Sequence, residues 1–174
     1  LDPATIDGRP TPGSAVNPSY IYQLPLNGFF GFNIAPPALG IARGAIDEYV
    51  AQTARRPDRA GQTARQLRIA ESSAEVDAAE ALLRAQAADI RRMGAAGQMP
   101  SAHFQAKLSR DLSYSLILCT RAVSRLAAAA GAHGMLDTNP VQRAFRDVHA
   151  IANHIAVNWD MHAPSFSRVA LGLA

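Results

Sequence analysis

The segment Arg143-Ala-Phe-Arg-Asp-Val-His-Ala-Ile-Ala-Asn-His-Ile-Ala-Val-Asn-Trp-Asp160 brings two histidines, an Arg-Asp pair and the chain's single tryptophan into one stretch. An imidazole exchanges protons near neutral pH without a large change in its surroundings, which makes His154 the candidate for proton chemistry. Phe145, Val148, Ala152, Ile155 and Trp159 recur at intervals of three and four and predict one apolar helical stripe. Asp147, Ile151, His154 and Asn158 share the adjoining face, so His154 is expected at the border of core and polar surface. Spacing by itself favours a partly buried histidine bonded to a neighbouring helix over a catalytic one. His149 and His154 lie roughly 140° apart around a helix, so they do not chelate one metal as an i,i+4 pair would. The chain has no Glu-x-x-His motif, which removes a ferritin-like di-iron site, and no metal is expected.

The elements that must position these residues are legible as four amphipathic helices. Asp137, Thr138 and Asn139 offer capping oxygens and Pro140 suits a first turn, so the helix carrying His154 is predicted from about 139 to just before Pro164. Ahead of it, residues 37–56 put Ile41, Ala45, Ile46, Tyr49 and Val50 inward, until Pro57 ends the helix. Residues 62–93 repeat Ile69, Val76, Leu83 and Ile90, with Ala79 and Ala87 between them, and stop at Gly94-Ala-Ala-Gly97. A third helix runs from Pro100 or Ser101 to Ala130 and stops at Gly131-Ala-His-Gly134. Its Phe104, Leu108, Leu112, Cys119, Val123 and Leu126 share a helical period, so Cys119 reads as core and not as a nucleophile. Four such stripes predict an all-α, antiparallel four-helix bundle over residues 34–174. Residues 1–33, rich in proline and glycine, predict an extended connector, with Tyr20-Ile-Tyr-Gln-Leu24 as a short extended piece.

Composition narrows the function classes. The 17 basic residues are arginine except for Lys107, they form no block, and the net charge is only +3. Nucleic-acid binding would need a clustered basic face with aromatics. No apolar run approaches the roughly 20 residues of a membrane helix, so a soluble protein with no membrane partner is expected. The single cysteine excludes an internal disulfide and fits a reducing cytoplasm. The chain opens on Leu1 without a signal-peptide pattern, as a processed chain or a fragment would. A lone Gly-x-x-Gly at 131–134 serves as a helix stop more often than as a phosphate cradle. No nucleophile is set on a strained turn, which leaves acyl transfer without support.

Three motifs together resemble the C-terminal bundle of the acyl-CoA dehydrogenase fold: Leu39-Gly-Ile-Ala-Arg-Gly-Ala-Ile-Asp47, Ala129-Ala-Gly-Ala-His-Gly134 and Pro140-Val-Gln-Arg-Ala-Phe-Arg-Asp147. Their order and spacing match over most of residues 20–174. Within that fold, Arg146-Asp-Val-His-Ala-Ile-Ala-Asn-His-Ile-Ala-Val-Asn-Trp-Asp160 followed by Ser167-Arg-Val-Ala-Leu-Gly172 is similar to the oxygenase components of two-component flavin-dependent monooxygenases. That family includes the 4-hydroxyphenylacetate hydroxylases and the phenol hydroxylase of bacterial steroid breakdown. The resemblance implies a flavin reductase partner that supplies reduced flavin, FMN or FAD. It implies oxygen addition to that flavin and hydroxylation of a phenolic or related aromatic substrate by the flavin hydroperoxide.

By the same resemblance, His154 belongs beside the flavin ring and the substrate, hydrogen-bonding a flavin peroxide or receiving a phenol proton. Gly131, His133 and Gly134 match a turn that approaches the flavin of a neighbouring subunit. Arg56 is the implied flavin-phosphate contact, since Arg55-Arg-Pro57 stands near the Arg-x-Phe-Gly turn of the dehydrogenases. His149 is expected to be structural, and Arg146 and Asp147 to form a local ion pair or a link between helices. A homotetramer cored by the bundle is the implied assembly. The helical and β-barrel domains that precede the bundle in this fold have no counterpart in the 174 residues. The chain therefore reads as the C-terminal part of an oxygenase, inactive alone, with residues 1–33 leaving the barrel.

True dehydrogenases of the fold place a glutamate shortly beyond the Arg-Asp pair, where this chain reads Asn153-His-Ile-Ala156 and offers no base for an α-proton. Two alternatives stay open: an acyl-CoA dehydrogenase-like oxidoreductase with its base elsewhere, and a non-catalytic helical assembly domain.

Overall fold

Ser101 accepts a hydrogen bond from the Phe104 N–H and so starts the long helix Ala102–Ala130, around which the chain is built. In chain order the five long helices among the described residues are α1 (Ala35–Ala54), α2 (Gln62–Ala95), α3 (Ala102–Ala130), α4 (Pro140–Ala152) and α5 (Trp159–Ala170), so this central helix is α3. The computed structural model describes residues 9–55 and 61–173, apart from the side chain of Asn27. Among the described residues there is no strand.

Leu108, Leu112, Leu116, Cys119, Val123 and Leu126 of α3 are buried and form the axis of the core. The helix α1 meets them with Ala35, Ala38, Ala42 and Ala45, a row of small side chains that lets two backbones approach closely, and then with Tyr49. Val76, Ala79 and Leu83 of α2 and Val141, Ala144 and Val148 of α4 close the core. Polar groups, some of them buried, join helices as well. Glu75 of α2 pairs with Arg121 and Arg125 of α3, and Gln86 of α2 donates to the buried carboxylate of Asp111, which Lys107 and Arg110 also contact.

The fourth position of the bundle is shared by two helices. Gln52, near the end of α1, donates to Asn139, whose side chain also caps α4, so α4 runs back along α3 from its C-terminal end. The helix α5 covers the N-terminal half of α3, with Tyr114 against Trp159, His103 against Phe166 and the Arg110 guanidinium 3.9 Å above the Phe166 ring. The predicted uninterrupted helix from 139 to Pro164 is therefore corrected. It breaks after Ala152, passes through a 3-10 turn at Ile155–Val157, and resumes as α5 with Pro164 inside it. Pro164 is exposed and, as proline, gives the preceding turn no backbone N–H. Ile155, expected in the apolar stripe, is 64% exposed, while Val157 takes the buried place.

Two other expectations change. Tyr20–Gln23 is a 3-10 turn and not an extended piece, and the described connector is a series of short helical turns at Pro12–Val16, Leu26–Phe29 and Phe30–Asn33. The reason is packing: Tyr20 lies over Gly94, where a Cβ would stand 2.6 Å from its ring, and its hydroxyl donates to the Gln98 carbonyl at 2.7 Å. Val50, read as inward, is exposed, because the inward face of α1 follows its alanines.

Candidate functional site

The helix break at the waist of the bundle is what presents His154. Asn153 ends α4, and its side-chain amide donates to the His149 carbonyl at 2.8 Å, an alternative to continuing the helix that asparagine readily supplies. His154 then turns extended, at φ −69° and ψ 134°, and its own side chain caps the next 3-10 turn. The Ala156 N–H donates to His154 Nδ1 at 3.1 Å. A nitrogen that accepts is unprotonated, so the neutral ring carries its proton on Nε2. His154 is exposed and caps a turn, which corrects its expected place on a helical face bordering the core.

Around it lies a depression of about 390 Å³ lined by Leu26, Phe30, His154, Ile155, Ala156, Met161 and His162. The Phe30 ring stands against the imidazole with centroids 6.0 Å apart. His162, in the first turns of α5, bonds the Ile155 carbonyl through Nε2 at 2.9 Å. The walls are largely apolar and the polar groups few, the usual make-up of a small-molecule site. A second hollow, about 410 Å³, shares Leu26 and is lined by Ile21, Leu24, Phe29, Phe32, Ile90 and Arg91 among others.

The other candidates fall elsewhere. Gly131, His133 and Gly134 lie at the far end of α4, whose 13 residues span about 20 Å at 1.5 Å each, so one chain does not bring them to His154. Gly131 has φ 68° and ψ −156°, a conformation for glycine only, and a Cβ on Gly134 would stand 2.5 Å from that of Ala130. Both glycines thus have a packing reason as well. His133 is exposed and its carbonyl accepts from the Asn139 amide at 3.0 Å. Arg56 lies outside the described residues. His149 is tied to Ser124 at 3.0 Å and packs against Phe145 with the rings tilted by 54°, while Asp147 pairs with Arg143 at 3.5 Å instead of with Arg146. Among the described residues no group of three or more His, Cys, Asp or Glu could hold a metal.

Sequence reasoning missed Leu26, Phe30, Met161 and His162. Their spacing carries no signal, because Leu26 and Phe30 come from the connector and the other two lie beyond a helix break that periodicity reads through.

The family model described as acyl-CoA dehydrogenase, C-terminal domain, matches residues 32–159. The p-hydroxyphenylacetate 3-hydroxylase oxygenase component of Acinetobacter baumannii is 32% identical over 161 residues, covering 89% of this chain and 38% of that protein. The FADH(2)-dependent resorcinol hydroxylase oxygenase component of Rhizobium sp. strain MTP-10005 is 35% identical over 168 residues, covering 88% and 41% respectively. Among solved structures, the HsaA monooxygenase from M. tuberculosis superposes with a TM-score of 0.89 at 28% identity, over 98% of this chain and 45% of that one. The 3-HSA hydroxylase from Rhodococcus sp. RHA1 gives 0.85 at 27% identity, over 94% and 42%. The chain thus spans about two fifths of the length of the curated relatives it matches, 38% and 41%. No helix among the described residues is long and apolar enough to cross a membrane. With a family match that runs from the start of α1 through the central α3 and α4 to the first residue of α5, this chain belongs to the acyl-CoA dehydrogenase C-terminal domain family.

Proposed function

We propose that this chain is the C-terminal part of the oxygenase component of a reduced-flavin-dependent monooxygenase acting on a phenolic or related aromatic compound. The observation that carries the reading is the presentation of His154, with Nδ1 engaged by the backbone and Nε2–H left for a ligand, in an apolar depression. A flavin ring is flat, mostly apolar and polar along its edges. Leu26, Phe30, Ile155 and Met161 fit its faces, and an imidazole N–H fits its edge. Reduced flavin bound there would supply the activation of oxygen. FAD is favoured by the name of the resorcinol hydroxylase relative, and FMN is the competing form.

Of the two roles the resemblance allows His154, donation is the one supported by its tautomer: Nε2 already holds a proton and Nδ1 is occupied. The imidazole would donate to an oxygen of the ligand or substrate. Gly131, His133 and Gly134 would serve the site of a neighbouring copy, a reading supported by their distance from His154, and Arg56, by the resemblance alone, would meet the flavin phosphate. That arrangement calls for a homotetramer or a similarly closed assembly, with a flavin reductase as the second partner. The single buried thiol is in keeping with a cytoplasmic protein. No carboxylate is among the residues lining the depression, which disfavours α-proton abstraction from an acyl-CoA there.

The test is single turnover of the whole protein with reduced flavin, oxygen and a phenol, counting product per flavin oxidised. His154→Ala should lower that ratio about 100-fold, with hydrogen peroxide taking the place of product. Flavin reduction by an acyl-CoA, with no hydroxylation by the unaltered protein, would replace this reading with the dehydrogenase one.

A further inference from the structure

The Ile155–Ala156 peptide unit is held at both edges by imidazoles. Its N–H donates to His154 Nδ1 at 3.1 Å, and its carbonyl accepts from His162 Nε2 at 2.9 Å. A carbonyl only accepts, so the His162 proton is on Nε2. The peptide is planar and rigid, and its N–H and C=O point in opposite directions, so a rotation that loosens one bond loosens the other. Hydrogen bonding at the carbonyl also polarises the amide and strengthens its N–H as a donor. The rest of the turn does not set this plane so tightly: the His154 carbonyl is held by the Val157 N–H and the His154 N–H by the Ile151 carbonyl, one residue to either side.

We infer that His162 is a positioning residue for His154, acting through the Ile155–Ala156 peptide to lock the imidazole in the Nε2–H tautomer that faces the ligand. His162 belongs to α5 and Ile155 to the turn that follows α4, so the bond also ties α5 to the break in the split helix. Both rings line the same depression. The contribution to turnover rests on the monooxygenase reading, whereas the contribution to the tautomer does not.

The experiment is nitrogen-15 magic-angle-spinning NMR of the histidine-labelled whole protein, with the His154 signals assigned from their loss in His154→Gln. In the unaltered protein His154 should show one protonated and one unprotonated ring nitrogen. His162→Leu, which keeps the volume but removes the donor, should move both nitrogens towards averaged values. His162→Gln carries an N–H the same number of bonds from the backbone and should restore the unaltered pattern. Product per flavin oxidised should fall about tenfold in the Leu variant, as for loss of one net hydrogen bond, and recover in the Gln variant. An unchanged His154 spectrum in His162→Leu, or a Gln variant as disturbed as the Leu one, overturns the inference. A shifted tautomer with unchanged turnover upholds the positioning and removes His154 from the chemistry instead.

Discussion

Gly31 lies against Leu112 so closely that a Cβ on it would stand 2.9 Å from Leu112 Cδ1 and 3.3 Å from the Ala156 carbonyl. The connector, the central helix and the turn that carries His154 therefore meet at one glycine. Gly31→Ala should destabilise the protein by about 1–3 kcal/mol through overpacking, lowering the melting temperature by several degrees in a thermal melt. An unchanged melt would mean that the turn gives way without cost.

At the other end of α4, Gly131→Ala and Gly134→Ala test two different reasons for glycine. The first should cost about 1–3 kcal/mol because its φ of 68° and ψ of −156° suit no side chain. The second meets Ala130 at 2.5 Å, so pairing it with Ala130→Gly should recover part of the loss, whereas the same partner should do nothing for Gly131→Ala. Urea midpoints at constant slope would separate them.

Glu75 and Arg125 form a largely buried pair at 2.7 Å, with side-chain exposures of 12% and 15%, and the Glu75 carboxylate beside it holds the Arg125 guanidinium above its usual range. Glu75→Ala leaves Arg125 only the half-exposed Glu71 carboxylate, 3.0 Å from its Nε, and should cost about 2 kcal/mol. Replacing both, as Glu75→Leu with Arg125→Met, should recover most of this, since the desolvation cost leaves with the charges. Denaturant unfolding of the double-mutant cycle checks it, and a double variant as unstable as Glu75→Ala would contradict the argument.

Burial pushes the Cys119 thiol up to about 12. At pH 8 the native thiol should react with a disulfide reagent roughly a thousandfold more slowly than the unfolded one, because the thiolate is the reacting form. The sign for stability follows: the folded value lies above the 9.0 of an exposed thiol, so this contribution is complete below pH 9 and declines as the pH rises towards 12. Cys119→Ala should flatten that decline.

Periodicity alone was enough for the existence, order and approximate ends of α1, α2, α3 and the start of α4, because Ser101, Asn139 and the glycine stops act within a few residues of themselves. It also assigned Cys119 to the core, where it is buried. The motifs at 39–47, 129–134 and 140–160 were enough for the family. These are local or linear properties, and a chain carries them before it folds. The break between α4 and α5 is of another kind, since Val157 is buried beside Gly31, distant in sequence and itself against Leu112, while Ile155 is exposed. The same closure set Phe30 and Met161 beside His154, directed two imidazoles at one peptide, and put Gly131, His133 and Gly134 a helix length away. Spacing along a chain cannot encode which groups meet across such a bend, because that depends on how three separate segments fill one volume.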